Sequence, residues 1–157
     1  MGPPDSEKSF HGWTVLFTEP FLSAYGDLSA RTRRLKGELS EEKYAQHPAV
    51  KLFLRVRELI RDVIPRDPYH ADHQLRGDLS KFRRTKSRGL PSRYRLFWVF
   101  TDQLKVIIFL YLNDSRTLRK EGDRSDPYRL FSDLVSRGEI GADFEENHRR
   151  WRIASHA

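Results

Sequence analysis

The chain has 157 residues, enough for one domain with a real core, and no cysteine, which excludes disulfides, thiolate catalysis and cysteine-based zinc sites and fits a reducing compartment. Charged residues make up 32% of it against 38% hydrophobic and 12% aromatic, the balance of a compact domain with a wet, charged surface and not of a disordered chain. The net charge is +7, so the expected partner is acidic: nucleic acid, an anionic surface or an acidic protein.

Residues 1–11 are polar, lack the apolar core of a signal peptide and read as a disordered lead. The longest apolar run, Val106–Leu112, is far shorter than the roughly 20 residues of a membrane span, so a soluble, cytoplasmic protein with no membrane partner is expected. Trp13–Phe17 reads as a strand, rich in aromatic and β-branched residues. Residues 20–36 have loosely helical apolar spacing that ends at Gly37. Ser40 before Glu41 and Glu42 is a helix start. That helix should break at Pro48 and run on to Val63, with Leu52, Phe53, Val56, Leu59 and Ile60 on one face and Pro65 and Pro68 as its stop.

Residues 66–81 form a turn-rich connector, and strands are expected at 82–86, 93–101 and 105–113, joined by short turns. Residues 115–125 read as a polar loop, Asp126-Pro127 opens a last helix ending at Gly138, and residues 139–157 carry no clear pattern. The division expected is a lead at 1–11, one domain at 12–144 and a basic, flexible tail at 145–157. Sequential short-turn strands make an antiparallel meander, so the fold class is α+β, with helices covering one face of the sheet and the other face partly free.

The functional signal lies in residues 79–101, which hold Lys81, Arg83, Arg84, Lys86, Arg88, Arg93 and Arg95 and no acid. Alternation along a strand places Arg93 and Arg95 on one face, and Arg84 and Lys86 together on their own strand. With the strands in register, these four converge into a fixed cationic surface suited to phosphate. The plainer alternative is a solvated face, or arginines paired with carboxylates from elsewhere. The six histidines all lie outside residues 74–147, which argues against a ribonuclease built on paired histidines. His70-Ala-Asp72-His73 sets an acid between two histidines, but in a proline-flanked loop with no third ligand, so no metal site and no cofactor is expected.

From Arg93-Tyr-Arg-Leu-Phe-Trp-Val-Phe the sequence resembles the strand carrying a catalytic arginine in RelE-like toxins. Asn113-Asp114-Ser-Arg116-Thr-Leu-Arg119-Lys-Glu-Gly-Asp-Arg-Ser-Asp126-Pro-Tyr128, with Gly12-Trp13 at the front, is more specific and resembles the YhaV family of toxins over residues 12–144. The resemblance implies a RelE-like fold and an endoribonuclease, an mRNA interferase linked to the ribosome, that arrests growth. It implies a PrlF-like antitoxin with an AbrB-like swapped-hairpin domain, and operator DNA bound only through the toxin–antitoxin complex. By position it assigns Arg95 as the catalytic strand arginine, Arg84 and Lys86 as cations holding or activating RNA, and Arg119 (or Arg116) with Tyr128 in the C-terminal segment.

RNA brings its own nucleophile, the 2′-hydroxyl, so the protein must orient the phosphate and stabilise its developing charge. Arg95 and Arg119 are expected to clamp the phosphate and Lys86 or Tyr128 to assist proton transfer, leaving a 2′,3′-cyclic phosphate and a 5′-hydroxyl. Lys81, Arg83, Arg93, Arg116, Asn113 and Asp114 complete the expected RNA-binding set. Asn113 and Asp114 at a strand end are more commonly turn formers, and Tyr128 in a first helical turn can simply pack the helix. The rival function is a non-catalytic RNA- or DNA-binding module on the same face, which would shift nucleic acid without cutting it.

Overall fold

The structure, a computed structural model, describes residues 8–114 and 126–156. Five strands form one sheet: Lys8–Phe10 (β1), Trp13–Phe17 (β2), Arg83–Thr85 (β3), Leu96–Thr101 (β4) and Val106–Leu112 (β5), ordered β1-β2-β5-β4-β3. The three sequential strands β3, β4 and β5 make the expected antiparallel meander. The sheet as a whole is mixed and not purely antiparallel, because β2 runs parallel to β5, from Thr14 beside Val106 to Phe17 beside Phe109. A parallel neighbour needs a long crossover, and the intervening helices supply it.

Those helices are Glu19–Glu38 (α1), Glu41–Gln46 (α2) and Pro48–Glu58 (α3), continued by a π-helical turn at Leu59–Val63 and a short turn at Ile64–Arg66 (α4). Thr18 and Ser40 cap the first two, their hydroxyls accepting from the Phe21 and Lys43 amides at 3.3 and 3.2 Å. Pro48 breaks the second from the third, as its sequence position requires. Pro65 does not stop the helix: it stands in the first turn of α4, directly after the widened π turn, where it is tolerated.

Two cores sit on opposite faces. One packs Phe21 of α1 and Leu52, Val56 and Leu59 from α3 and the π turn against Trp13, Val15, Trp98 and Phe109. The other packs Leu16, Phe97, Val99, Ile108 and Leu110 under Pro127–Ser136 (α5) and Phe144–His156 (α6), through Phe131 and Phe144. The second face is therefore covered and not partly free as the sequence suggested. Phe131 stacks on Phe97 with ring centroids 4.3 Å apart, both fully buried. Each such phenyl contributes roughly 1.5–3 kcal/mol by leaving water.

Regular structure occurs in the described parts of two segments expected to be unstructured. β1 pairs with β2 through His11-Gly12, whose φ angles of 51° and 83° are both positive, the geometry of a tight two-residue hairpin. Helix α6 occupies the expected tail. Its start is signalled by Asp143 with Glu146 three residues on: the Asp143 carboxylate accepts from the Glu146 amide at 2.9 Å. Strand β4 starts at Leu96 and not at Arg93, because Arg93 has a left-handed backbone at φ 71°.

Candidate functional site

The end of β3, the residues entering β4 and the amino end of α5 enclose a cleft of about 560 Å³. Arg84, Lys86, Arg93 and Arg95 wall its sheet side, and Asp126 and Tyr128 its helix side. The register explains the convergence. Arg84 stands opposite Phe97 on the neighbouring strand, so it shares that residue's face, and Arg95 lies two residues before Phe97 on the same side. A bulge follows: Phe97 pairs Tyr111 and Trp98 pairs Phe109, leaving Leu110 unmatched, and the Thr18 hydroxyl takes up its carbonyl at 2.9 Å.

Tyr128 is the centre of the cleft. Arg84 Nη1 donates to its hydroxyl oxygen at 2.8 Å and Arg95 Nε at 3.1 Å, with both guanidinium carbons 5.8 Å from the ring centroid. Its ring stands edge-on to Phe97 at 5.6 Å, and its amide is held by the Asp126 carboxylate at 2.9 Å, the helix N-cap. One residue therefore both packs α5 on the sheet and lines the cleft. Two guanidinium donors occupy the two acceptor positions of the phenolic oxygen, so by the donor and acceptor inventory its own proton is the valence left for a bound molecule.

The remaining bonds of the two arginines also go to uncharged oxygens. Arg95 Nη1 donates to the Tyr94 carbonyl at 2.8 Å, and Arg84 Nη2 to the Asp72 and Gln74 carbonyls at 3.2 and 3.5 Å. Arg55, Arg66, Arg88 and Arg137, by contrast, each meet a carboxylate. Among the described residues, Arg84 and Arg95 are thus held in place without meeting a carboxylate, and Lys86 and Arg93 on the same wall make no side-chain bond. Positive charge fixed by carbonyls and a phenol is available to a polyanion at little cost in reorganisation.

Other candidates lie elsewhere. Arg83 points to the opposite face, its guanidinium 5.4 Å from the Phe100 ring centroid, and burial lowers its pKa. Lys81, exposed before β3, and Asp114, beside Tyr94 after β5, are not among the cleft's described lining residues. Arg116 and Arg119 lie outside the described residues. Asn113 is buried and structural. Its carbonyl oxygen accepts from the Arg95 amide at 2.7 Å and its amide nitrogen donates to the Arg93 carbonyl at 3.0 Å, so one side chain extends the β4–β5 ladder across two residues that have left it.

Sequence reasoning missed the support behind Arg84. His73, read from the sequence only as part of a proline-flanked loop, is 1% exposed with its Nδ1 3.0 Å from the Thr85 hydroxyl, whose oxygen accepts from Trp98 Nε1 at 3.0 Å. Neither spacing nor composition brings residues 73, 85 and 98 together; only the pairing of β3 with β4 and the turn wrapped over its edge do.

A family model described as "Toxin with endonuclease activity, of toxin-antitoxin system" matches residues 15–151. The chain is 32% identical over 146 residues, 90% of its length and 93% of the relative's, to the "Ribonuclease toxin YhaV" of Escherichia coli K12 and to the "Toxin YhaV" of Escherichia coli O157:H7. A solved toxin–antitoxin complex, RelBE2 from Mycobacterium tuberculosis, aligns over 64% of this chain and 87% of that chain at 20% identity and a TM-score of 0.36, a likeness too loose to carry geometry across.

Proposed function

This chain belongs to the YhaV family of toxins with endonuclease activity, and on that premise we propose that it cuts RNA by attack of the 2′-hydroxyl on the adjacent phosphate, in the cleft centred on Tyr128. The observation that carries this reading is the pair of guanidiniums, Arg84 and Arg95, converging on one phenol with only uncharged partners among the described residues. A phosphate entering there meets two fixed cations and a hydroxyl proton at one point.

In the reaction the 2′-oxygen bonds to phosphorus and the bond from phosphorus to the 5′-oxygen breaks. The charge on the non-bridging oxygens grows toward the transition state, where Arg84 and Arg95 stabilise it. Tyr128 gives its proton to the departing 5′-oxygen, and Lys86, acting as the neutral amine, receives the proton of the 2′-hydroxyl. Arg93 binds a flanking phosphate. The products are a 2′,3′-cyclic phosphate and a 5′-hydroxyl end. The biological reading is translation-linked mRNA cleavage, held in check by a PrlF-like antitoxin whose acidic segments suit the same cationic wall; operator DNA is bound only by the complex, in the cytoplasm.

The test is induced expression of the wild type and of Arg95→Ala, following growth and mapped RNA 5′ ends together. We expect arrest and new 5′-hydroxyl ends with the wild type. Both should vanish in the variant, with circular dichroism unchanged. A folded Arg95→Ala protein of full toxicity would sink the assignment. Folded wild type that binds RNA without cutting it would leave a binding module.

A further inference from the structure

We propose that His73 is a positioning residue for this cleft: buried on the far side of β3, it fixes the carbonyls that aim Arg84 at the phosphate. This rests on the cleavage reading above, and goes beyond it by assigning a role to a residue that touches no substrate. Three observations carry it. First, the side chains of Arg84 and Thr85 leave β3 on opposite faces, Arg84 into the cleft and Thr85 toward Trp98. Second, the turn Ala71–His73 and Gln74 wrap the edge of β3, with Gln74 bridged to Arg83. Third, the two residues flanking His73 supply the Arg84 acceptors, the Asp72 and Gln74 carbonyls. The segment is therefore pinned inward by one side chain and grips the arginine outward with the backbone on either side of it.

The pin has a direction. Trp98 Nε1 can only donate, so it occupies a lone pair of the Thr85 oxygen. Thr85 is fully buried, and its own proton must find an acceptor. His73 Nδ1, 3.0 Å away, provides one if the ring is neutral and protonated on Nε2. The opposite tautomer would strand the threonine proton, whereas Nε2 is buried without a partner among the described residues in either. The ring also stands edge-on to Trp98, centroids 5.2 Å apart. Indole, hydroxyl and imidazole thus form one chain whose last member sets the position of residues 72–74.

The experiment uses the full-length protein and two substitutions that keep volume but break the chain, His73→Leu and Thr85→Val, with His73→Asn as the conservative rescue, since its side-chain oxygen can take the place of Nδ1. Each is made alone and with Arg84→Lys. Circular dichroism selects folded variants; an RNA oligonucleotide gives kcat and KM. If His73 acts through Arg84, kcat falls roughly ten- to hundredfold with KM little changed. His73→Asn restores most of it, and in the Arg84→Lys background the same substitutions cost almost nothing more. Equal losses in both backgrounds, or a folded His73→Leu protein of wild-type kcat, would overturn the proposal. Nitrogen NMR of the arginine side chains is read in parallel and needs no cleavage: the Arg84 signal should broaden in His73→Leu and return in His73→Asn. If the wild type cuts no RNA, the function reading fails and the NMR result alone decides whether His73 holds Arg84.

Discussion

At Tyr128 one hydroxyl separates chemistry from packing. Tyr128→Phe keeps the ring against Phe97 and between the two guanidiniums, and removes only the oxygen that Arg84 and Arg95 share. Both cations face an open cleft, where water can replace the phenol, so stability should change by no more than about 1 kcal/mol. Cleavage should fall by roughly a hundredfold, the usual worth of a positioned proton donor, with RNA affinity nearly unchanged. Single-turnover cleavage beside a fluorescence binding titration checks both halves; a variant cutting at the wild-type rate would remove the hydroxyl from the mechanism. The site's residues were unevenly legible. Alternation paired Arg84 with Lys86 and Arg93 with Arg95, and their convergence followed only if the two strands lay in register. Tyr128 entered only through resemblance, because its partners are far away in sequence. Asn113 looked like a turn former, and no pattern could show that its amide was completing a strand ladder.

Among the elements, those governed by local chemistry were the readable ones. β2 lies at the bounds its β-branched and aromatic residues imply, and α5 begins at the Asp126-Pro127 pair that the sequence marks. What escaped was pairing between distant segments: β2 alongside β5 in parallel, and α5 with α6 over the second face. The arginine-bearing entry to β4 lies between these cases, since it is neither regular strand nor loose turn. Its geometry depends on Asn113, which ties the Arg93 carbonyl and the Arg95 amide to the end of β5. Asn113→Ala strands both backbone groups in a partly buried setting and should cost about 1–3 kcal/mol. Because the lost bonds sit at Arg95 itself, cleavage should drop further than the folded fraction does. Urea unfolding and a cleavage assay on the same preparation compare the two losses. Equal losses would mean that Asn113 supports the fold without positioning the arginine.

For the whole molecule, acid is the most revealing stress, because the protein keeps a histidine where a cation is unwelcome. Burial, with the nearby Arg88 and His70 charges adding to it and a hydrogen bond to the Arg84 backbone and the Asp72 charge opposing, lowers the pKa of His73 from 6.5 to about 4. The unfolded chain therefore binds a proton near pH 6.5 that the folded chain refuses until about pH 4. Stability from this residue is full above 6.5 and is lost as the pH falls toward 4, a difference of about 3 kcal/mol at 1.36 kcal/mol per pH unit. Carboxylates titrate in the lower part of the same window, so the informative quantity is the difference between wild type and His73→Leu. Urea unfolding at pH 7, 5.5 and 4 should show the wild type losing more stability than the variant at each step, with slightly more of the gap opened between pH 5.5 and 4 than between pH 7 and 5.5. Parallel curves would mean that the fold accepts a charged His73, and that the Trp98–Thr85–His73 chain can rearrange without releasing residues 72–74. Diverging curves would make the same buried chain a support of the whole fold as well as of the arginine in front of it.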